Sequence, residues 1–305
     1  MIKKINEKIL CQTESYANKI SEVIVKDNYT PTLRKLPHKV KGKDVYTTKN
    51  SAIGKGIETV ESEIIQRIAK QSIIDTFKLP AINRDKAISA LIPILEDQSP
   101  KCIHRTDLSS FYESIPHNII INKINQNRSI GQSTKNVVNS LLNQYKELSG
   151  KNKGLPRGVP LSATLAELCM VNIDETIKAM PEVNYYVRYV DDIIIVIKTK
   201  TSTNKSYDNV IQSITSTISE YNLSINSSKT ETDYYSKERK VIEIEYLGYY
   251  FEEKNNNPLN IRMSIKKLFE STNKVQEFVA DSTTKDLFDH DAESTRNVEQ
   301  KKIDH

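Results

Sequence analysis

At 305 residues the chain is long enough to bury a sizeable core, and length alone predicts about two domains. With 37% hydrophobic and 27% charged residues and a net charge of +5, it reads as a folded, mildly basic protein that permits a polyanionic partner without requiring one. The three cysteines, Cys11, Cys102 and Cys169, are scattered without CxxC spacing, which excludes a disulfide framework or a zinc site and predicts a reducing, cytoplasmic home.

Residues 1–28 place Ile2, Ile5, Ile9, Ile20 and Ile24 among Lys and Glu at helical spacing, so an amphipathic helix is expected, with no apolar stretch of signal-peptide length. Residues 29–56 change character: Pro31, Pro37, Gly42, Gly54 and Gly56 punctuate a lysine-rich stretch, and Val40 to Tyr46 reads as a β-hairpin with Gly42 near its turn. Helical periodicity returns over 58–78, and a second helix is expected from Arg84 to Leu95. Cys102 to Asp107 reads as a strand ending on a carboxylate, Ser162 to Ile177 as a helix, and Val187 to Ile197 as a hairpin with Asp191 and Asp192 at its tip. Residues 207–223 are helical in pattern, and segments around 224–235 and 241–251 are strand-like. A last helix is expected over Ser264 to Val279, before a polar tail from Asp281. The longest Ile/Val run, Ile193 to Ile197, is far too short to cross a bilayer, so no membrane partner is expected. The order of elements predicts an α+β fold, with helices on one face of a sheet.

Three segments carry candidate chemistry. In Tyr189-Val-Asp-Asp192, two adjacent acids lie between strong β-formers. Ionised carboxylates are costly to bury unpaired, and a hard divalent cation such as magnesium relieves that cost through oxygen ligands. An exposed Asp-Asp turn is the plain alternative. In Arg105-Thr-Asp-Leu-Ser-Ser-Phe-Tyr-Glu113, Asp107 ends an apolar strand; the alternative is a helix cap supplied by Asp107 or Ser109. Gly154 to Leu168 is a Gly/Pro-rich loop running into a helix, whose backbone N–H groups suit phosphate and to which Arg157 adds charge; an ordinary helix start is the alternative.

Taken together, in this order and spacing, the three segments resemble the palm motifs of reverse transcriptases. Asp107 falls at the motif A aspartate, Gly154 to Leu168 at motif B and Tyr189 to Asp192 at the motif C tetrapeptide. Leu223 to Glu231 looks like motif D with Lys229 at its lysine, and Tyr246-Leu247-Gly248 looks like the primer-grip motif E. The resemblance implies a right-hand polymerase fold of fingers and palm, an antiparallel sheet packed on helices. It places N-terminal helices and fingers at 1–100, the palm at 101–252 and a short thumb remnant with a polar tail at 253–305. It implies an RNA-directed DNA polymerase with two magnesium ions (manganese as substitute) held by Asp107, Asp191 and Asp192, an RNA template, a DNA product and deoxynucleoside triphosphates. Tyr112 falls at the steric-gate position, where a bulky ring leaves no room for a ribose 2′-hydroxyl; a core aromatic beside Phe111 is its alternative. Lys229 would sit near the triphosphate, or else be a solvated surface lysine.

The chain also departs from the family's pattern. Arg157 stands where motif B usually has Gln, and Val159 where Ser is common. Arginine brings a fixed charge and a forked donor set to the nucleotide-binding loop beside Gly158. Asp44 and Val45 follow Lys43 where the fingers often carry an arginine, so phosphate contacts are expected from Lys41, Lys43 or Arg84. This form of the loop, Pro-Arg-Gly-x-x-x-Ser-Ala-Thr-Leu-Ala-Glu, looks most like bacterial abortive-infection and phage-defence reverse transcriptases. The short stretch after Gly248 leads us to expect help from a structured RNA or a partner protein subunit. Two other readings stay open at this point: a template-independent or protein-primed nucleotidyltransferase, and a polymerase-like RNA-binding subunit with reduced catalysis.

Overall fold

Lys41 and Gly42 both take positive φ, 49° and 74°. That geometry turns the chain tightly enough to pair β1 (Arg34–Val40) with β2 (Lys43–Thr47) as an antiparallel hairpin, where the sequence predicts one. The computed structural model describes residues 30–48, 57–81, 83–201, 203–236, 241–254, 258–265 and 267–269, with Asn18 alone before them. The expected N-terminal helix, apart from Asn18, and the polar tail lie outside the described residues, as does the thumb region beyond 269.

Contacts divide the chain into two units, one formed by residues up to 94 and 100–234, the other by 95–99 and the residues from 235 on. In the first, α1 (Ile57–Phe77) buries Ile65, Ala69 and Ile73, spaced four apart on one helix face. Helix α2 (Arg84–Glu96) follows, then β3 (Lys101–Asp107), the four-residue α3 (Phe111–Ser114), α4 (His117–Gln126) and α5 (Gln132–Ser149). Helix α6 (Pro160–Lys178) opens with a proline, which costs no hydrogen bond there because the first helical N–H has no partner in the helix. Helix α7 (Asn204–Glu220) starts three residues earlier than the sequence pattern predicts, because the Thr203 hydroxyl caps it by accepting from the Ser206 N–H at 3.3 Å.

The four-stranded sheet of this unit has the order β4 (Val183–Tyr189), β5 (Asp192–Ile197), β3, β6 (Glu231–Tyr235), with β5 antiparallel to both neighbours. Residues opposed across an antiparallel pair share a face. Cys102 opposes Ile197, and Ile193 and Ile195 follow on the same face, packed into one apolar core with Leu165, Cys169 and Ile173 of α6 and Ile214 and Ile218 of α7. Arg105 and Asp107 therefore lie on the other face, and Asp107 is paired directly with Asp192. The fold is mixed α+β, with helices packed on one face of an antiparallel sheet.

In the second unit β7 (Val241–Tyr246), β8 (Tyr249–Lys254) and β9 (Asn260–Met263) form an antiparallel sheet in that order. The strand-like stretch 241–251 is thus two strands, not one. Leu247 and Gly248, at φ 49° and 78°, reverse the chain between them. The helix expected from Ser264 begins there, with the Leu268 N–H donating to the Ser264 carbonyl at 2.9 Å.

Candidate active site

The turn Val190-Asp191 joins β4 to β5, and it is strained: Val190 has φ 60°, a left-handed conformation that a β-branched residue rarely adopts. The Asp191 carbonyl accepts the Leu108 N–H at 3.1 Å, which brings this turn beside the end of β3. Asp107 is buried there, 6% exposed, and its carboxylate accepts from the Lys229 ammonium at 2.9 Å. Asn226 braces the same residue: its N–H donates to the Asp107 carbonyl at 2.8 Å, and its side-chain amide lies 3.5 Å from the carboxylate. Across the pair, Asp192 lies 3.4 Å from Arg105, which also reaches Glu231 at 3.6 Å. The structure therefore brings Asp107, Asp191, Asp192 and Lys229 together.

The electrostatics are uneven. Burial raises the Asp191 pKa above the usual carboxylate range, and the charges of Asp107 and Asp192 raise it further; its own backbone N–H and Lys229 oppose them without cancelling the effect. Lys229 moves above the usual lysine range, chiefly through its hydrogen bond to Asp107. Among the described residues no three acidic, His or Cys side chains already converge on one point. Lys229 draws Asp107 to itself, and Arg105 does the same for Asp192. The donor set is nonetheless all oxygen, and Asp191 is held above the usual carboxylate range first by burial and then by the charges of Asp107 and Asp192. That chemistry suits a hard divalent cation.

Arg188, three residues before Asp191, is the functional residue that sequence reasoning misses. Its side chain is 3% exposed, and it donates to Asp174 at 3.0 and 2.8 Å and to Glu167 at 3.0 and 2.6 Å, both on α6. A fifth bond, at 2.8 Å, goes to the carbonyl of Val190. Burial alone would lower the arginine pKa, but the two carboxylates raise it well above its usual value, so this guanidinium is permanently charged. It ties the strained turn to the helix.

A second group forms around Tyr112, half-buried on α3. The Arg157 guanidinium lies 5.1 Å above its ring and forks onto Glu113 at 2.7 and 3.1 Å. Burial tends to raise the Glu113 pKa, but Arg157 and Lys43, 3.7 Å away, bring it below the usual range. Burial raises the Tyr112 phenol, with Glu167 and Asp191 adding and Arg157 opposing, which places the ring within electrostatic reach of the Asp191 turn. Gly158 has φ 91°, and a Cβ there would stand 2.6 Å from the Tyr46 carbonyl oxygen. Glycine lets the α6 approach loop press against β2, a contact sealed by the Tyr46 N–H donating to the Arg157 carbonyl at 2.8 Å.

Of the remaining candidates, Lys43 joins this second group through Glu113. Arg84 opens α2, a helix that meets the sheet at β4, where the Tyr185 hydroxyl donates to the Ala87 carbonyl at 3.0 Å. Tyr246, Leu247 and Gly248 form the β7–β8 turn of the second unit. Glu113 carries no local signal, since the arginine it faces is 44 residues away in the chain. Nothing local marks Asn226 or Arg105.

No curated protein matches the sequence. Among solved structures the chain is similar to apo telomerase from Candida tropicalis truncated from its C-terminal domain, at TM-score 0.49 and 10% identity, covering 77% of this chain and 55% of that one. It is also similar to telomerase from Candida albicans in complex with the TWJ fragment of telomeric RNA, at TM-score 0.49 and 12% identity, covering 83% of this chain and 49% of that one. The chain thus spans about half the length of the structures it matches. Among the described residues no helix is long and apolar enough to cross a membrane. The model of one family, reverse transcriptase (RNA-dependent DNA polymerase), matches residues 51–251, two-thirds of the sequence, from α1 through β7 into the first half of β8. The chain belongs to the reverse transcriptase family.

Proposed function

We propose that this protein is an RNA-directed DNA polymerase that adds deoxynucleotides to a primer 3′-hydroxyl, with Asp107 and Asp191 as ligands of two magnesium ions and Asp192 as a supporting ligand. The observation that carries this reading is the pairing of Asp107 opposite Asp192 beside the Asp191 turn, which gathers three carboxylates at the end of β3. Two such ions, when bound, activate the primer hydroxyl and neutralise the leaving pyrophosphate, and this family's phosphoryl transfer depends on positioning and charge.

The chain's own groups divide the remaining work. Lys229, close to Asp107, donates a proton to the departing pyrophosphate. Tyr112 excludes the ribose 2′-hydroxyl. Lys43 and Arg84 contact phosphates, the backbone around Arg157 and Gly158 lines the nucleotide pocket, and Tyr246 to Gly248 grip the primer. The form of the Arg157 loop supports a role in bacterial defence against phage, in the cytoplasm.

A second reading, template-independent synthesis, is favoured by one observation: the guanidinium that replaces the usual glutamine is spent on Glu113. One experiment separates the two. Purified protein is given magnesium and each nucleotide, with and without a primed RNA template, and the products are sequenced. Complementary DNA made only with template is expected. A product unrelated to the template would install the second reading. The double variant Asp191→Ala, Asp192→Ala should fall to background while its circular dichroism stays unchanged; full incorporation by that variant would remove the mechanism.

A further inference from the structure

A steric gate discriminates only if its ring stays in place. The difference between a ribose and a deoxyribose is one hydroxyl, and a tyrosine that swings to another rotamer opens room for it. Tyr112 sits on a helix of four residues whose capping position, Ser110, is left-handed and makes no side-chain capping bond. So short a helix supplies little rigidity of its own.

What holds the ring comes from elsewhere. Phe111 packs edge-on against one side, with ring centroids 5.7 Å apart, and the Arg157 guanidinium covers the ring at 5.1 Å. Arg157 is itself immobilised: its fork is bidentate on Glu113, and its backbone carbonyl is held by the Tyr46 N–H. Glu113 is the neighbour of Tyr112 in the chain, so one ion pair grips both the ring and the backbone that carries it. Lys43 approaches the same carboxylate at 3.7 Å and links this clamp to the β1–β2 hairpin.

We propose that Arg157 and Glu113 are specificity-determining positioning residues: together they clamp the Tyr112 ring and thereby set how strongly deoxynucleotides are preferred over ribonucleotides. The inference rests on Tyr112 acting as the gate under the proposed polymerase activity. An ordinary loop-stabilising ion pair would affect overall rate or stability and leave sugar selectivity alone. The clamp affects the selectivity itself.

The test measures kcat/KM for a ribonucleotide and for its deoxy counterpart on one primer–template, and takes their ratio for each variant. Tyr112→Ala should raise ribonucleotide use relative to deoxynucleotide by on the order of 10²-fold, the scale of a pocket-shape change. Glu113→Gln, which keeps the shape and loses the charge, and Arg157→Lys, which keeps the charge and loses the fork, should each raise it roughly 10-fold. In the Tyr112→Ala background neither should raise it further, because the ring they act through is gone. Clamp variants that leave the ratio unchanged while Tyr112→Ala raises it would overturn the clamp alone. A ratio that Tyr112→Ala does not move would overturn the gate and the clamp with it. An added increase in the Tyr112→Ala background would show that the pair acts on the nucleotide by another route, which also overturns the clamp.

Discussion

Two polar clusters lie three residues apart on the β4–β5 hairpin, and they are built on opposite principles. Around Arg188 every N–H of the guanidinium has an acceptor: five bonds, to Asp174, Glu167 and the Val190 carbonyl. The Tyr186 hydroxyl adds a bond to Asp174 at 2.6 Å. Around Asp191, Lys229 pairs with Asp107, and Arg105 is divided between Asp192 and Glu231. The same kinds of residue give a closed, satisfied network on one side of the turn and, on the other, a carboxylate kept above its usual pKa by burial and two acidic neighbours. A buried network that is fully paired stiffens the fold, whereas a carboxylate so perturbed is a candidate ligand for something absent from the chain. The strained Val190 links the two, since its carbonyl belongs to the first network and its backbone sets the direction of the second.

The sharpest way to break this contrast is to damage the satisfied side. Arg188→Met removes the shared cation and leaves buried Asp174 and partly buried Glu167 without it. Loss of a single partner from such a group costs about 3–5 kcal/mol. Denaturant unfolding should therefore show a large fall in stability, and activity should fall with it as the Val190 turn loosens. An unfolding midpoint unchanged from the natural chain would show that the network does not hold the hairpin.

On the other side of the turn, Lys229→Ala should act mainly on rate. The ammonium is largely exposed while Asp107 is buried, so the pair lies between a surface ion pair and a buried one, and the unfolding curve should move less than for Arg188→Met. If Lys229 protonates the leaving pyrophosphate, single-nucleotide incorporation should slow by about 10²-fold, the lower range for general acid catalysis. A variant with the natural rate would make the lysine a counter-charge only.

How much of this was legible beforehand depends on distance along the chain. Asp107, Asp191 and Asp192 announce themselves because each is a carboxylate set against a run of β-formers, a contrast visible within ten residues. The β1–β2 hairpin shows for a similar reason, through Gly42 at the turn. Arg188 reads as one polar residue in an alternating strand, and its meaning lies in Asp174 and Glu167, 14 and 21 residues away on another element. Arg157 and Glu113 are 44 residues apart, so the charge at Arg157 was readable and its partner was not. Helices α4 and α5 are masked by the many Asn, Lys and Ser residues between 117 and 149, although Gly150, left-handed at φ 70°, marks where α5 stops. Tertiary packing of sparse apolar positions, Ile120, Ile124, Val138 and Leu142 among them, supplies what local pattern lacks.

The smallest expected effect tests the Asp191 side directly. A carboxylate whose folded pKa is raised destabilises the fold above that pKa, where it is ionised, and the penalty disappears as pH falls below the unfolded value. For Asp191 the fold therefore loses stability as pH rises out of the ordinary carboxylate range. At the proposed site a divalent cation would bind the ionised form, so protons compete with it, and metal-induced stabilisation should be larger at pH 7.5 than within the ordinary carboxylate range. Metal at a concentration giving about 1 kcal/mol of linkage raises the melting temperature by roughly 2–4 °C for a domain of this size. The readout is the increment on adding magnesium and not the melting temperature alone. Burial lowers the pKa of His104 to about 4 and that of His117 below its usual value, so both favour the fold as pH rises through the same window and oppose Asp191 in the metal-free protein. Asp191→Asn keeps both histidines and removes the titrating group. Its metal increment should be small and flat with pH, and its metal-free melting temperature at pH 7.5 should exceed that of the natural chain because the cost of burying a charge, and with it the repulsion from Asp107 and Asp192, is gone. An increment in the natural chain that ignores pH, or one that survives Asp191→Asn undiminished, would mean that the cation binds elsewhere and that the raised Asp191 at the turn serves another purpose.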